Sequence, residues 1–212
     1  MKQGELNDAL VKFAGLGMTK EVAKCLELGA NIHVDDDYTL RWAAENGHTE
    51  TVKFLLDNGA DIYACDDWAL RYTAYHGHTE TVKFLLENGA DIHSDDDGAF
   101  ALRWAAGNGH TETVKFLLDN GADVHALNDD SLKWAADSGH VEVVKLLLQN
   151  GADIHANNDA ALRWAAADGQ TETVKLLLEN GADIHANNDA ALRYAADKGH
   201  TETVKLLKNY SK

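Results

Sequence analysis

The sequence has no proline, two cysteines, no long apolar run and far fewer cations than anions. A typical soluble chain of this length would carry proline at roughly 5%. Something other than proline must therefore end its helices. Two cysteines cannot build a disulfide framework, and no stretch of ~18 apolar residues exists to span a membrane. The opening residues MKQGELNDALVKFAGLG are interrupted by Asn7, Asp8 and Lys12, so they lack the continuous apolar segment of a secretory signal. A reducing, cytoplasmic compartment is the expectation. With 19 Lys and Arg against 35 Asp and Glu the net charge is -16, which argues against nucleic acid as a partner, because phosphate contacts need clustered cations.

What is present is one unit written repeatedly. The string Gly-His-Thr-Glu-Thr-Val-Lys-Phe-Leu-Leu returns at Gly47, Gly77 and Gly109, with close variants at Gly139, Gly169 and Gly199, at offsets of 30, 32, 30, 30 and 30 residues. A divergent first copy keeps Gly17, Val22, Leu26 and Gly29 in the same frame. The expected repeats cover 1–34, 35–64, 65–94, 95–126, 127–156, 157–186 and 187–212 of a single domain. Asp8, Lys12 and Lys24 at one end and Lys208 at the other replace apolar positions, the expected pattern of polar caps on a complete array.

Within a repeat, Leu40, Ala43 and Ala44 and then Val52, Leu55 and Leu56 show i, i+3, i+4 spacing, which predicts two short helices. Gly47 separates them. Asp37 is the expected N-cap of the first, and Gly59 the left-handed residue that ends the second. Glu50 and Lys53, three apart, fit a solvated face.

Helix, Gly-His turn, helix, then Gly59-Ala60-Asp61 and a polar connector resembles the ankyrin repeat, and the resemblance covers nearly the whole chain. It implies an all-α solenoid of about seven helix-turn-helix units with short hairpin-like connectors. Two features depart from the family. Thr39-Leu40-Arg41 or Ala161-Leu162-Arg163 stands in place of threonine-proline-leucine-histidine, and the unit is about three residues shorter than the usual ~33. The deficit falls in the connector, so the family's β-turn finger is expected to be stunted. The variant Ala-Leu-Arg-Trp-Ala-Ala is similar to ankyrin arrays of giant amoeba-infecting viruses, which would place the chain in a host cytoplasm; a designed relative would share its regularity.

The resemblance further implies a non-catalytic module that grips another protein in a concave groove. On a helical wheel Tyr38, Trp42 and Glu45 lie about 140–200° from Leu40, away from the second helix. The equivalent stripe reads Trp68, Tyr72, Tyr75 in the third repeat and Phe100, Trp104, Gly107 in the fourth. An aromatic recurs at Trp42, Tyr72, Trp104, Trp134, Trp164 and Tyr194, for which packing is the first expectation. Tyr38, Trp68, Tyr75 and Phe100 do not recur and read as partner contacts, since contiguous exposed aromatics mark interaction sites. The third repeat is irregular elsewhere: Tyr63 replaces a recurring His, Thr73 a recurring Ala, and His76 follows Tyr75. The candidate partner-binding set is therefore Tyr38, Trp42, Trp68, Tyr72, Tyr75, His76, Phe100 and Trp104.

Charge favours the same half. Residues 1–106 hold 19 acids and 9 bases, and residues 107–212 hold 16 and 10. The connectors read Asp35-Asp36-Asp37, Cys65-Asp66-Asp67 and Asp95-Asp96-Asp97 before softening to Asn157-Asn158-Asp159. A partner protein with a basic surface is expected, bound to a monomer, with capping and solubility as the alternative role of the acids. Arg41, Arg71 and Arg103 are expected to pair with connector carboxylates.

Ten of the eleven histidines recur at two positions, at most once per repeat at each, too far apart to share one ion. No metal, cofactor or catalytic set is expected. The resemblance also offers His33 or His155 as a hydroxylation site, and a partnerless structural scaffold is a further alternative. Cys25 replaces a core Leu, and Cys65 is the more exposed thiol.

Overall fold

The computed structural model describes residues 2–93 and 100–211. The chain divides into two compact blocks, residues 1–96 and 97–212. In the N-terminal block α1 (Gln3–Gly15) pairs with α2 (Thr19–Glu27), α3 (Tyr38–Glu45) with α4 (Thr49–Asp57), and α5 (Ala64–Tyr75) with α6 (Thr79–Glu87). The C-terminal block continues with α7 (Phe100–Gly107) and α8 (Thr111–Asp119), α9 (Ala126–Asp137) and α10 (Val141–Gln149), α11 (Ala156–Ala167) and α12 (Thr171–Glu179), then α13 (Ala186–Asp197) and α14 (Thr201–Tyr210). Within each block first helices pack on first helices and second on second, α1 on α3 on α5 and α8 on α10 on α12 on α14.

The periodic residues form the core. Leu40, Ala43, Ala44, Val52 and Leu55 are fully buried, as are their counterparts Leu162, Ala165, Ala166, Val174 and Leu177. Each Leu contributes about 1.5–3 kcal/mol by burial, and the alanines let neighbouring first helices approach closely. Gly47 ends α3 with φ 72°. Its N–H bonds to Ala44 O and the His48 N–H to Ala43 O, the paired C-terminal bonds of a Schellman motif. Gly59 does the same for α4 at φ 95°, with the Ala60 N–H on Leu55 O at 3.0 Å.

Two ladders join successive repeats. His48 Nε2 donates to Gly15 O at 3.0 Å, His140 to Gly107 O and His200 to Ala167 O, while Gln170 Nε2 donates to Asp137 O where the His is missing. The Thr19 and Thr51 hydroxyls share a hydrogen bond of 2.7 Å, repeated by Thr49 with Thr81 and Thr171 with Thr203. The histidines of the Gly-His turn are thus structural.

The connectors differ from the hairpin-like form expected. Asp35, Asp36 and Asp37 are all left-handed, with φ between 49° and 56°, and Cys65-Asp66-Asp67, Leu127-Asn128-Asp129, Asn157-Asn158-Asp159 and Asn187-Asn188-Asp189 repeat the conformation. Among the described residues there is no strand. The shortened connector makes one left-handed turn in place of a β finger. Such turns cost about 1–2 kcal/mol per L-residue, least for Asn and Asp, which accounts for the composition of these triplets. The fourth triplet, Asp95-Asp96-Asp97, and the extra Gly98-Ala99 lie outside the described residues.

Candidate functional site

Two devices hold the left-handed turns, and both differ from an expectation drawn from sequence. Asp37 is the residue before α3, but its side chain does not cap that helix. Its buried carboxylate instead accepts the Asp61 N–H of the next connector at 2.9 Å and the His33 Nδ1–H at 3.1 Å. Asp67 takes the Asp91 N–H, Asp129 the Asp153 N–H and Asp159 the Asp183 N–H. Asn7 performs the same task for Asn31. The aspartates reach the following repeat from a left-handed backbone, and Asn7 reaches it from within α1.

The arginines, in turn, meet carbonyls. Arg41 donates from Nη2 to Asp35 O at 2.7 Å and from Nε to Asp36 O at 3.2 Å. Arg163 forks identically onto Asn157 O and Asn158 O, and Arg193 onto Asn187 O and Asn188 O. The turn points successive carbonyls the same way, and the planar guanidinium matches that pair. Arg71 donates from Nη2 to Cys65 O at 2.7 Å, and Arg103 reaches a carboxylate, that of Asp130 on α9, at 3.4 Å.

On the N-terminal block the candidate aromatics form a connected run. Tyr38 and Trp42 stack at 5.9 Å, and Trp68 and Tyr72 at 4.1 Å with planes 6° apart. Tyr72 meets Tyr75 at 6.3 Å, and Tyr75 meets His76 edge-on at 4.9 Å. The Arg41 guanidinium lies over both the Tyr38 and Trp68 rings, at 5.2 and 5.3 Å, joining the stripes of two repeats. His76 Nε2 stands 3.6 Å from Glu45 Oε1. Tyr75 is 40% exposed, and His76 is exposed too, whereas Tyr38, Trp42, Trp68 and Tyr72 are half-buried. Trp68 does not stand free in solvent: its indole N–H is shielded and meets no protein acceptor. Trp42 lies against Gly15, where any Cβ would overlap its ring.

Thr73, singled out as an irregularity, belongs to the packing. It is buried, and its hydroxyl donates to Ala44 O of the preceding repeat at 3.0 Å. Tyr63 is exposed and reaches toward Gly89.

The C-terminal block carries Phe100 and Trp104, 5.3 Å apart and both half-buried, with Arg103 over the Phe100 ring at 4.5 Å. It also carries what sequence reading passed over. Trp134 and Trp164 are 46% and 48% exposed, more open than any Trp in the candidate set, and Tyr194 is exposed as well. The Trp134 indole N–H donates to the buried Asp130 carboxylate at 2.9 Å, which also pairs with Lys133. Asp130 sits four residues before Trp134, a helical spacing visible in the sequence. Lys133, Trp134, Asp137 and Trp164 enclose a cleft of about 120 Å³. Burial in this cleft raises the Asp137 pKa, the Asp168 carboxyl beside it raises it further, and Lys198 and Lys133 oppose the shift.

Burial pushes the Cys25 thiol up, against the pull of Lys24, while Cys65 is exposed. Among the described residues, His, Cys, Asp and Glu form no group of three or more able to hold a metal ion.

Paired antiparallel helices stacked through Gly-His turns define a helical-repeat solenoid, a class whose members generally act as protein–protein interaction modules. The family model described as "Ankyrin repeats (3 copies)" matches residues 10–96, 70–158 and 132–212, and the chain belongs to that family. Among solved structures it resembles the human ASB11 ankyrin repeat domain, with a TM-score of 0.85 and 26% identity over 95% of this chain and 96% of that one. No curated protein matches the sequence.

Proposed function

We propose that the chain is a non-catalytic adaptor that captures a partner protein on the aromatic faces of its first helices, with Tyr38, Trp42, Trp68, Tyr72, Tyr75 and His76 as the primary surface. Phe100 and Trp104 supply further anchors from the C-terminal block. The observation that carries this reading is the aromatic run through Trp68, Tyr72 and Tyr75, bridged by Arg41 to Tyr38. A buried core would have no use for a tyrosine 40% open to solvent at its end, and tyrosine and tryptophan dominate binding hot spots. Stacked rings are rigid, so a partner would order few side chains on docking.

The charge supports a partner with a basic surface. Asp35, Asp36 and Asp66 keep their side chains exposed at the turn tips, while Asp37 and Asp67 are consumed by the framework. The exposed acids would steer the encounter and the rings would hold the complex. Capture by the immobilised chain at low and high salt tests this. A dedicated partner is expected to resist high salt once docked, because ring contacts are not screened. If salt strips everything bound, the partnerless scaffold is the better description.

A further inference from the structure

We infer that the cleft lined by Trp134, Trp164 and Asp137 receives the guanidinium of an arginine side chain presented by a partner protein. This rests on the protein-binding reading above and names the ligand chemistry of a second locus on the same helix faces.

Three observations select that cation. First, the cations around the cleft are directed at other carboxylates: Lys133 and Arg103 both pair with Asp130, and Lys198 pairs with Asp168 at 2.7 Å. Asp137 lies beside them with its Oδ1 shielded and no protein donor on it. Second, the walls are two open indole rings, the side chains that attract cations most strongly. The Lys133 ammonium already lies 5.7 Å from the Trp134 ring centre, so that ring works as a cation platform within this chain. Its hydrogen bond to Asp130 fixes the indole in place before any ligand arrives. Third, the volume of about 120 Å³ admits one side-chain head group and falls short of a drug-sized ligand site.

Arginine fits better than lysine. Its guanidinium is flat, stacks on aromatic faces, gives up its weaker hydration easily and carries donors in the plane for a carboxylate. An apolar side chain would fill the volume but leave Asp137 unmatched. Trp42 packs on Gly15 and Trp134 on Gly107, whereas Asp137 stands at that position before Trp164; Glu45, its counterpart before Tyr72, already meets His76 at 3.6 Å.

The test uses the intact protein with ¹⁵N-labelled tryptophan and blocked single amino acids as probes: acetyl-arginine amide, the neutral isostere acetyl-citrulline amide and acetyl-lysine amide. Arginine is expected to shift the Trp134 and Trp164 indole signals saturably, in the millimolar range, with Trp42, Trp68 and Trp104 unmoved. Citrulline should leave all five in place, and lysine should bind more weakly. Asp137→Asn should weaken arginine binding about tenfold, the loss of one charge-assisted contact, and Trp164→Ala should abolish the shift at Trp134. No saturable shift, equal shifts with citrulline or lysine, or an unchanged response in Asp137→Asn would each overturn the assignment. Because the probe is a single amino acid, such a failure leaves partner capture by the N-terminal block standing, and failure of capture leaves the indole titration unaffected.

Discussion

At the scale of single residues, the repeats act as controls for one another. The threonine ladder joins the first Thr of one second helix to the next repeat's second Thr, but Val141 interrupts it, and Thr173 is left buried with an unpartnered hydroxyl. Restoring the ladder with Val141→Thr should raise stability by about 1 kcal/mol, the net value of a buried hydrogen bond, seen as a higher melting temperature. No gain would mean that the hydroxyl is satisfied in another way. Asp159 offers the opposite experiment. Asp159→Ala strips the acceptor from the Asp183 N–H and should cost about 1–3 kcal/mol, while Asp159→Asn should be tolerated, since Asn7 already makes this bond. Asp137 differs in sign. Its pKa is raised in the folded chain, so the folded state holds a proton that the unfolded state releases, and stability falls as pH rises through the folded value. Asp137→Asn should therefore raise the melting temperature at neutral pH, with the gain fading toward acid. A thermal scan across pH checks both the sign and the fade.

At the scale of elements, the helices were legible because their cores are periodic: Leu40, Ala43 and Ala44 had to share a face, and Gly47 and Gly59 had to end what preceded them. The connectors were not legible. A run such as Asp35-Asp36-Asp37 reads as an N-cap because aspartate at a helix start commonly caps it, and nothing local distinguishes that from three left-handed residues whose last side chain serves the following repeat. The arginine at the third position of each Ala-Leu-Arg string held the missing clue, since a fork spanning two parallel carbonyls needs a guanidinium. Arg163→Lys should then loosen the turn by about 1 kcal/mol, a point charge replacing two aligned donors. The fifth repeat has Lys133 in that place, and there the ammonium pairs with Asp130 instead.

At the scale of the whole molecule, repetition makes the family readable and hides the open indole pair of the C-terminal block. Comparing repeats identifies framework by recurrence, so Trp134 and Trp164 were read as packing because an aromatic recurs at their position. They proved the most open tryptophans, with side chains whose exposure depends on Asp137, Gly107 and Asp130 around them and not on their own identity. Conversely Trp68, expected in open solvent, is half covered by Arg41 and Tyr72. On the proposed reading, the acidic balance of -16 would steer a partner with a basic surface and leave affinity to the rings. The account is tested most directly by measuring partner capture with the chain and with its Trp68→Ala/Tyr75→Ala variant at matched salt, after calorimetry has shown both arrays folded. Capture weakened by about 2 kcal/mol or more, roughly thirtyfold, is the predicted result; capture equal to that of the unaltered chain would contradict it.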